Sequence, residues 1–192
     1  MTHSLVTGAG HRLGRAMALY LAQRGHHVAV HYSTSATAAN EVVNEIKAMG
    51  RNAVALQADL LDGDQAQALL PRASEQLGGP IYLLVNNASI FEHDTVNSAT
   101  RASWDRNMDS NLRAPFLLTQ AMAAQGLTAK LDNDGEPIAA GLIVNMIDQR
   151  VRKLTPDFLT YTLAKMGLWA LTQTSARALA PSIRVNAIGP GP

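Results

Sequence analysis

The sequence predicts a single α/β domain over residues 1–192, built on a doubly wound parallel sheet, and three observations carry that expectation. Short runs rich in valine, isoleucine and leucine alternate with segments whose apolar residues recur at helical spacing. One run, "IYLLVNNA" (81–88), is almost continuously apolar, as a strand buried on both faces must be. A glycine-rich turn, "TGAGHRLG" (7–14), joins the first strand to the first helix, and sheets of this kind bind ligands beyond the carboxyl ends of their strands.

Taken in order, "SLVT" (4–7) is the first strand, and the following helix carries Leu13, Ala16, Met17, Tyr20 and Leu21 on its predicted inner face before Gly25 stops it. "HVAVHY" (27–32) is the second strand. A helix that turns Ala39, Val42, Val43, Ile46 and Met49 inward ends at Gly50, and "NAVALQ" (52–57) is the third strand. Residues 64–77 place Ala66, Leu69, Leu70, Ala73 and Leu77 on one stripe, with Pro71 expected to kink the helix. After "IYLLVNNA" come a long helix around 101–125, a polar turn "DNDGEP", the strand "GLIVNM" (141–146), a helix around 157–180 and the strand "IRVNAI" (183–188). No linker, repeat or low-complexity tract interrupts the alternation, which requires right-handed crossovers with helices on both faces.

Composition narrows the function. The chain is 47% apolar and 16% charged, enough to bury a sizeable core. It carries neither a long uncharged apolar run nor a signal-peptide pattern, so we expect no membrane association and a cytoplasmic location. Without cysteine there is no disulfide, thiolate metal site or cysteine nucleophile. A net charge of +1 makes no case for nucleic acid. The charge is unevenly distributed, however. Arg12, Arg15, Arg24 and five histidines precede Glu41, the first acidic residue, so an anion near the first turn meets a positive field. The histidines lack metal-ligand spacing, and no metal is expected.

In the turn, Gly8 permits the tight bend, Gly10 is suited to close approach of backbone to a pyrophosphate, and Gly14 lets the helix lie near the sheet with its N-terminus aimed at the anion. The spacing is G-x-G-x-x-x-G, so a plain glycine turn is the alternative. The second strand runs into Ser33, Thr34 and Ser35 with no carboxylate for a ribose 2′-hydroxyl, which favours NADPH over NADH; a solvated turn explains the same residues. Asp59 after the third strand suits an adenine amino group, and equally a turn cap. Tyr161 and Lys165, four apart, share a helix face. A phenol titrates near about 10, so proton transfer near neutrality requires roughly 4 kcal/mol of differential stabilisation of the phenolate, and an ammonium one turn away has the right sign.

"TGAGHRLG", "ADL", "LVNNAS", "NLRAPF", "YTLAK" and "RVNAIGPG" together resemble the short-chain dehydrogenases/reductases, in order and approximate spacing, over essentially the whole chain. The resemblance implies a Rossmann fold, with Asn111 as proton-relay asparagine, Tyr161 as catalytic tyrosine and Lys165 as catalytic lysine that also holds cofactor. It implies that Asn87, Ala88, Gly189 and Pro190 form cofactor-pocket backbone, with Leu13 and Leu60 beside them. The helices around 101–125 and 157–180 resemble those through which the family forms homo-oligomers, dimer or tetramer. The chain stops at "IGPGP", where family members continue into a substrate-covering segment and a last strand, so the resemblance implies that these 192 residues lack the lid.

Two departures sharpen the resemblance. Arg12 stands where the family usually has glycine, and Asp148, thirteen residues before Tyr161, stands where it usually has serine. Pteridine reductases of the family share both, and have an aromatic residue after the "NNAS" segment, matched by Phe91; "HYSTSATAAN" is similar to their cofactor-phosphate segment. This implies a small-molecule substrate of pterin or dihydrofolate type, met by Arg12, Ser89, Phe91, Asp148 and Tyr161. A flat pterin sandwiched between nicotinamide and Phe91 gains about 0.5 to 1.5 kcal/mol beyond burial. Core packing for Phe91, phosphate binding alone for Arg12 and turn capping for Asp148 are the alternatives. For the whole chain they are a carbonyl reductase acting on a small ketone or 3-oxoacyl thioester, and a non-catalytic NADP(H) sensor.

Overall fold

The computed structural model describes residues 2–191. Its strands are β1 (His3–Val6), β2 (His27–Tyr32), β3 (Ala53–Gln57), β4 (Ile81–Asn86), a small hairpin β5 (Lys130–Leu131) and β6 (Pro137–Ile138), β7 (Gly141–Met146) and β8 (Ile183–Ile188). Its helices are α1 (Arg12–Gln23), α2 (Ala36–Ala48), α3 (Gly63–Leu77), α4 (Arg101–Met108), α5 (Ala114–Ala124) and α6 (Leu159–Leu179). Six strands form one parallel sheet in the order β3-β2-β1-β4-β7-β8. The order reverses beside β1, and the carboxyl ends of β1 and β4 open the crevice that such sheets use for ligands.

Alternate side chains of each strand feed two cores. Leu5, Leu84, Ile143 and Val185 pack against α3 and α5, with the end of α6 flanking them. Val6, Val28, Val30 and Val85 pack against α1 and α2 on the opposite face. The stripe of α3 is as expected: Ala66, Leu69, Leu70, Ala73 and Leu77 are all buried, and the helix runs unbroken through Pro71. Leu69 and Leu70 are almost wholly sequestered, each contributing about 1.5 to 3 kcal/mol by burial. Asp62 starts the helix by accepting the amides of Asp64 and Gln65.

Several expectations need correction. In α1 the buried residues are Gly14, Ala18 and Ala22, whereas Leu13 is 52% and Tyr20 54% exposed. The apolar stripe misleads because the turn fixes the helix rotation. A side chain at Gly14 would collide with the Gly8 carbonyl and Asn87, so this smallest face lies against the sheet, and Ala18 and Ala22 continue it one turn apart. Met49 caps the end of α2 and is exposed, not inward. The long helix around 101–125 is two helices joined by a π-turn over Asp109–Arg113. "DNDGEP" does make a turn, and Asp132 organises it by accepting the amides of Asp134 and Glu136, but it sits inside the unanticipated β5–β6 hairpin.

Candidate active site

The crevice begins where β1 bends. Gly8 has φ +62, a conformation costly for a side chain, and its amide donates to Nδ1 of His31 at 3.0 Å. Nε2 of His31 therefore carries the proton and donates to the Ala58 carbonyl at 3.1 Å, so one buried imidazole ties the turn to the end of β3. Burial holds its pKa down to about 4. The Asn87 side chain donates to the carbonyls of Thr7 and Gly8, while the hydroxyl of Thr7 accepts the amides of Asn87 and Ala88. β1 and β4 are thus stitched together at their carboxyl ends.

Two cavities meet there. One, of about 400 Å³, is bordered by Arg12, Leu13, Gly14, Ser89, Phe91, Asp148, Tyr161, Lys165 and Pro190. The other, of about 450 Å³, reaches Ser33, Asp59 and Leu60, and both share Ala88 and Ser89. Together they make a long cleft with a positive, hydroxyl-rich side and no carboxylate at the end of β2. Arg12 adopts φ +47, unusual for a residue with a side chain, and has no hydrogen-bond or ion-pair partner among the described residues. A group held in a costly backbone state and left free at a cleft is suited to a ligand. The hydroxyls of Ser33, Thr34 and Ser35 likewise make no hydrogen bond to the chain among the described residues. These features fit a nicotinamide dinucleotide with an extra phosphate: a glycine bend, a helix N-terminus for the pyrophosphate, and hydroxyls after β2 for a 2′-phosphate, with Arg12 toward the cavity that holds Phe91 and Tyr161.

Some expected cofactor residues lie off the cleft wall. Gly10 faces Ala38 and Ala39 at the start of α2, so its smallness serves helix packing there. Thr34 and Ser35 border neither cavity, and Gly189 borders a separate one behind Asp148. Asp59 accepts the Leu61 amide at 3.0 Å, which is the capping role, and also borders the cleft.

At the far end, Asp148 uses its two oxygens differently. Oδ1 accepts the Arg150 amide at 2.8 Å and caps a short turn, while Oδ2 accepts from the Tyr161 hydroxyl at 2.9 Å. Capping and contact with the tyrosine hold together. Burial, then Asp148 by hydrogen bond and charge, push the Tyr161 phenol well above its usual range, and Ser89 and Arg150 partly oppose this. Lys165 is 2% exposed and donates to the Met146 carbonyl at 2.8 Å, not to the phenol; burial brings its pKa down to about 8. Its ammonium also lies 5.5 Å from the centroid of the Tyr161 ring, so the positive charge expected beside the phenol is near it but hydrogen-bonded elsewhere.

Asn111 sits in the π-turn, a helical irregularity frequent at functional sites. Its Oδ1 accepts from the Ser89 hydroxyl at 2.8 Å and the Ile90 amide at 3.1 Å, and its Nδ2 donates to the Ile90 carbonyl at 2.9 Å. Phe91 is 53% exposed, which removes core packing as its explanation. One of its faces stacks on Phe158 at 4.1 Å, and the ring meets Tyr161 edge-on at 4.8 Å. The Arg150 guanidinium flanks both phenyl rings, 4.7 Å from the Phe158 centroid and 5.5 Å from that of Phe91. Sequence reasoning missed Phe158, Arg150 and His31; the only signals were an aromatic three residues before Tyr161 and a polar residue inside "HVAVHY".

This combination of parallel sheet, glycine bend and Tyr-Lys helix defines a nucleotide-dependent oxidoreductase, and comparison with known proteins gives its family. The model for short chain dehydrogenases matches residues 2–192, and the chain belongs to that family. Among curated relatives, the 3-oxoacyl-[acyl-carrier-protein] reductase FabG of Staphylococcus aureus is 36% identical, over all of this chain and 74% of its own length. Among solved structures, FolM alternative dihydrofolate reductase 1 from Brucella canis, complexed with NADP, is 44% identical with a TM-score of 0.88, covering 99% of this chain and 73% of that one. A short chain dehydrogenase from Burkholderia cenocepacia, also with NADP, is 34% identical with a TM-score of 0.88, covering 99% and 74%.

Proposed function

We propose that the protein is an NADPH-dependent reductase of a pterin or dihydrofolate-like substrate. The observation that carries this reading is the Asp148–Tyr161 hydrogen bond of 2.9 Å beside an exposed Phe91 in one cavity. A carboxyl group next to the phenol gives a second proton-carrying group where a ring nitrogen must be protonated, and Phe91 offers a flat face. The likeness to FolM, whose name is that of a dihydrofolate reductase, supports it.

The bend at Gly8 and the first turn of α1 around Gly14 take the pyrophosphate, with Gly10 packed against α2 behind it; Ser33, followed by Thr34 and Ser35, meets the 2′-phosphate, and Asp59 with Leu60 the adenine. Leu13, Asn87, Ala88, Lys165 and Pro190 line the rest of the cofactor, with Gly189 behind them. When bound, NADPH supplies a hydride to carbon. Tyr161 delivers a proton to the adjacent nitrogen or oxygen, Asp148 holds and replenishes it, and Lys165, with a pKa of about 8, exchanges protons near neutrality. Asn111 fixes the Ser89–Ile90 segment that walls the substrate, with Arg12 at its other edge.

A second reading, reduction of a 3-oxoacyl thioester or small ketone, is favoured by the likeness to FabG. NADPH oxidation assayed with dihydrobiopterin, dihydrofolate, a 3-oxoacyl thioester and simple ketones separates the two. The pterin reading expects fastest turnover with a dihydropterin and slower oxidation of NADH. Preference for the thioester replaces it, and binding of NADPH without turnover of any compound leaves a sensor.

A further inference from the structure

A line of polar side chains runs from the substrate wall into the interior. The Ser89 hydroxyl donates to Oδ1 of Asn111 (2.8 Å), Nδ2 of Asn111 to Oδ1 of Asn107 (3.2 Å), Nδ2 of Asn107 to Oγ1 of Thr160 (2.9 Å), and the Thr160 hydroxyl to Oδ2 of Asp94 (2.6 Å). Main-chain groups fix its direction. The Ile90 main chain engages both ends of the Asn111 amide, and the Ser103 carbonyl accepts from Nδ2 of Asn107 at 3.0 Å. Neither amide can turn over without losing these bonds, so every remaining donor points toward residue 94, where only an acceptor completes the line.

Asp94 is 3% exposed and has a second task. Phe158, the residue before α6, gives that helix no side-chain cap. Asp94 caps it from another part of the chain, accepting the Thr160 amide at Oδ1 (3.1 Å) and the Leu159 amide at its own carbonyl (3.3 Å). Charge at a helix N-terminus has the favourable sign. Burial works against ionisation, but the hydroxyl and amide of Thr160, together with the Ser103 hydroxyl and the Leu159 amide, outweigh it and hold the carboxyl below its ordinary range. Asp94 and Ser89 belong to the segment after β4, Asn111 to the π-turn, and Thr160 immediately precedes Tyr161.

We propose that Asp94 is a positioning residue for the reductive step: through Thr160 it sets the first turn of the helix bearing Tyr161 and Lys165, and through Asn107 it holds Asn111 and Ser89 in register with them. The inference rests on the reductase reading above. Asp94→Asn replaces one acceptor with a donor, so one of the two Thr160 donors loses its partner.

The test compares Asp94→Asn, Thr160→Val and Thr160→Ser, with two readouts. In single turnovers with NADPH and dihydrobiopterin, Asp94→Asn and Thr160→Val should slow hydride transfer about ten- to a hundredfold at unchanged NADPH affinity. Thr160→Ser, which keeps the hydroxyl, should recover most of that loss. Without any substrate, both slow variants should speed proton exchange at the Asn111 side-chain amide, although they enter the line from different elements. Lowered melting temperature with unchanged hydride transfer per folded molecule overturns the proposal. So does faster exchange confined to Leu159 and Thr160. Should the wild type not reduce dihydrobiopterin, the pterin reading falls, and the exchange result still decides the role of Asp94.

Discussion

Asp148 is both a turn cap and the partner of the Tyr161 phenol, and this double bonding makes a definite pH signature. An ionised carboxylate beside the phenol raises the pKa of Tyr161, adding to the effect of burial. Proton delivery leaves a phenolate, which an ionised carboxylate repels and a protonated acid does not, so the rate of hydride transfer should be greater on the acidic side of neutrality. Asp148→Ser, which restores a neutral hydroxyl, should remove that acid dependence, and Asp148→Asn should flatten the same limb while keeping the shape. Single-turnover rates across acidic to mildly alkaline pH measure this, and superimposable profiles for wild type and variants would take Asp148 out of the mechanism. Arg12 and Asp148 were legible as departures from the resemblance, Tyr161 by its spacing from Lys165 and Phe91 by its place after "NNAS". Arg150 and Phe158 were not, since neither spacing nor pattern says that a turn after β7 and the start of α6 will bring them against Phe91.

The glycine bend depends on an element that periodicity describes only as a strand. His31 alternates into the sheet like its valine neighbours, yet its two nitrogens bridge Gly8 and Ala58. The folded protein holds this ring neutral, with a pKa near 4 against an ordinary 6.5. Between those values the unfolded chain binds a proton that the folded one refuses, so stability falls as pH drops from about 6.5 and the penalty is complete below about 4, approaching roughly 3 kcal/mol. His31→Gln should be less stable near neutrality, bind NADPH more weakly and show a shallower loss of stability on acidification. Urea midpoints from pH 4 to 7 check this, and equal slopes for both proteins would refute it. Other elements show where sequence reading stops. The α3 stripe was legible because large apolar residues marked it. The rotation of α1 was not, because glycine and alanine carry the contact, and the π-turn within the region around 101–125 leaves composition and spacing unchanged.

At the scale of the whole molecule, α4, α5 and α6 present Trp104, Phe116, Leu163 and Met166 to solvent, each about two-fifths or more exposed. We propose that these faces join copies of the chain into a dimer or tetramer, and light scattering at micromolar concentration should give a mass above that of a monomer; a monomer alone rejects it. A parallel sheet with helices on both faces and ligands beyond its carboxyl ends was foreseeable from alternation, because right-handed crossovers leave few arrangements, but the strand order was not. The substrate was not, because the cleft wall is assembled from segments far apart in sequence. The central claim is that this wall and the Tyr161 group serve reduction of a pterin by NADPH. Its most direct test is mass spectrometry of the product after reaction of dihydrobiopterin with NADPH carrying deuterium at both C4 positions. The account predicts a tetrahydropterin with one deuterium on carbon from the wild type and almost none from Tyr161→Phe. An unlabelled product, or label passed only to a ketone or acyl thioester, would contradict it.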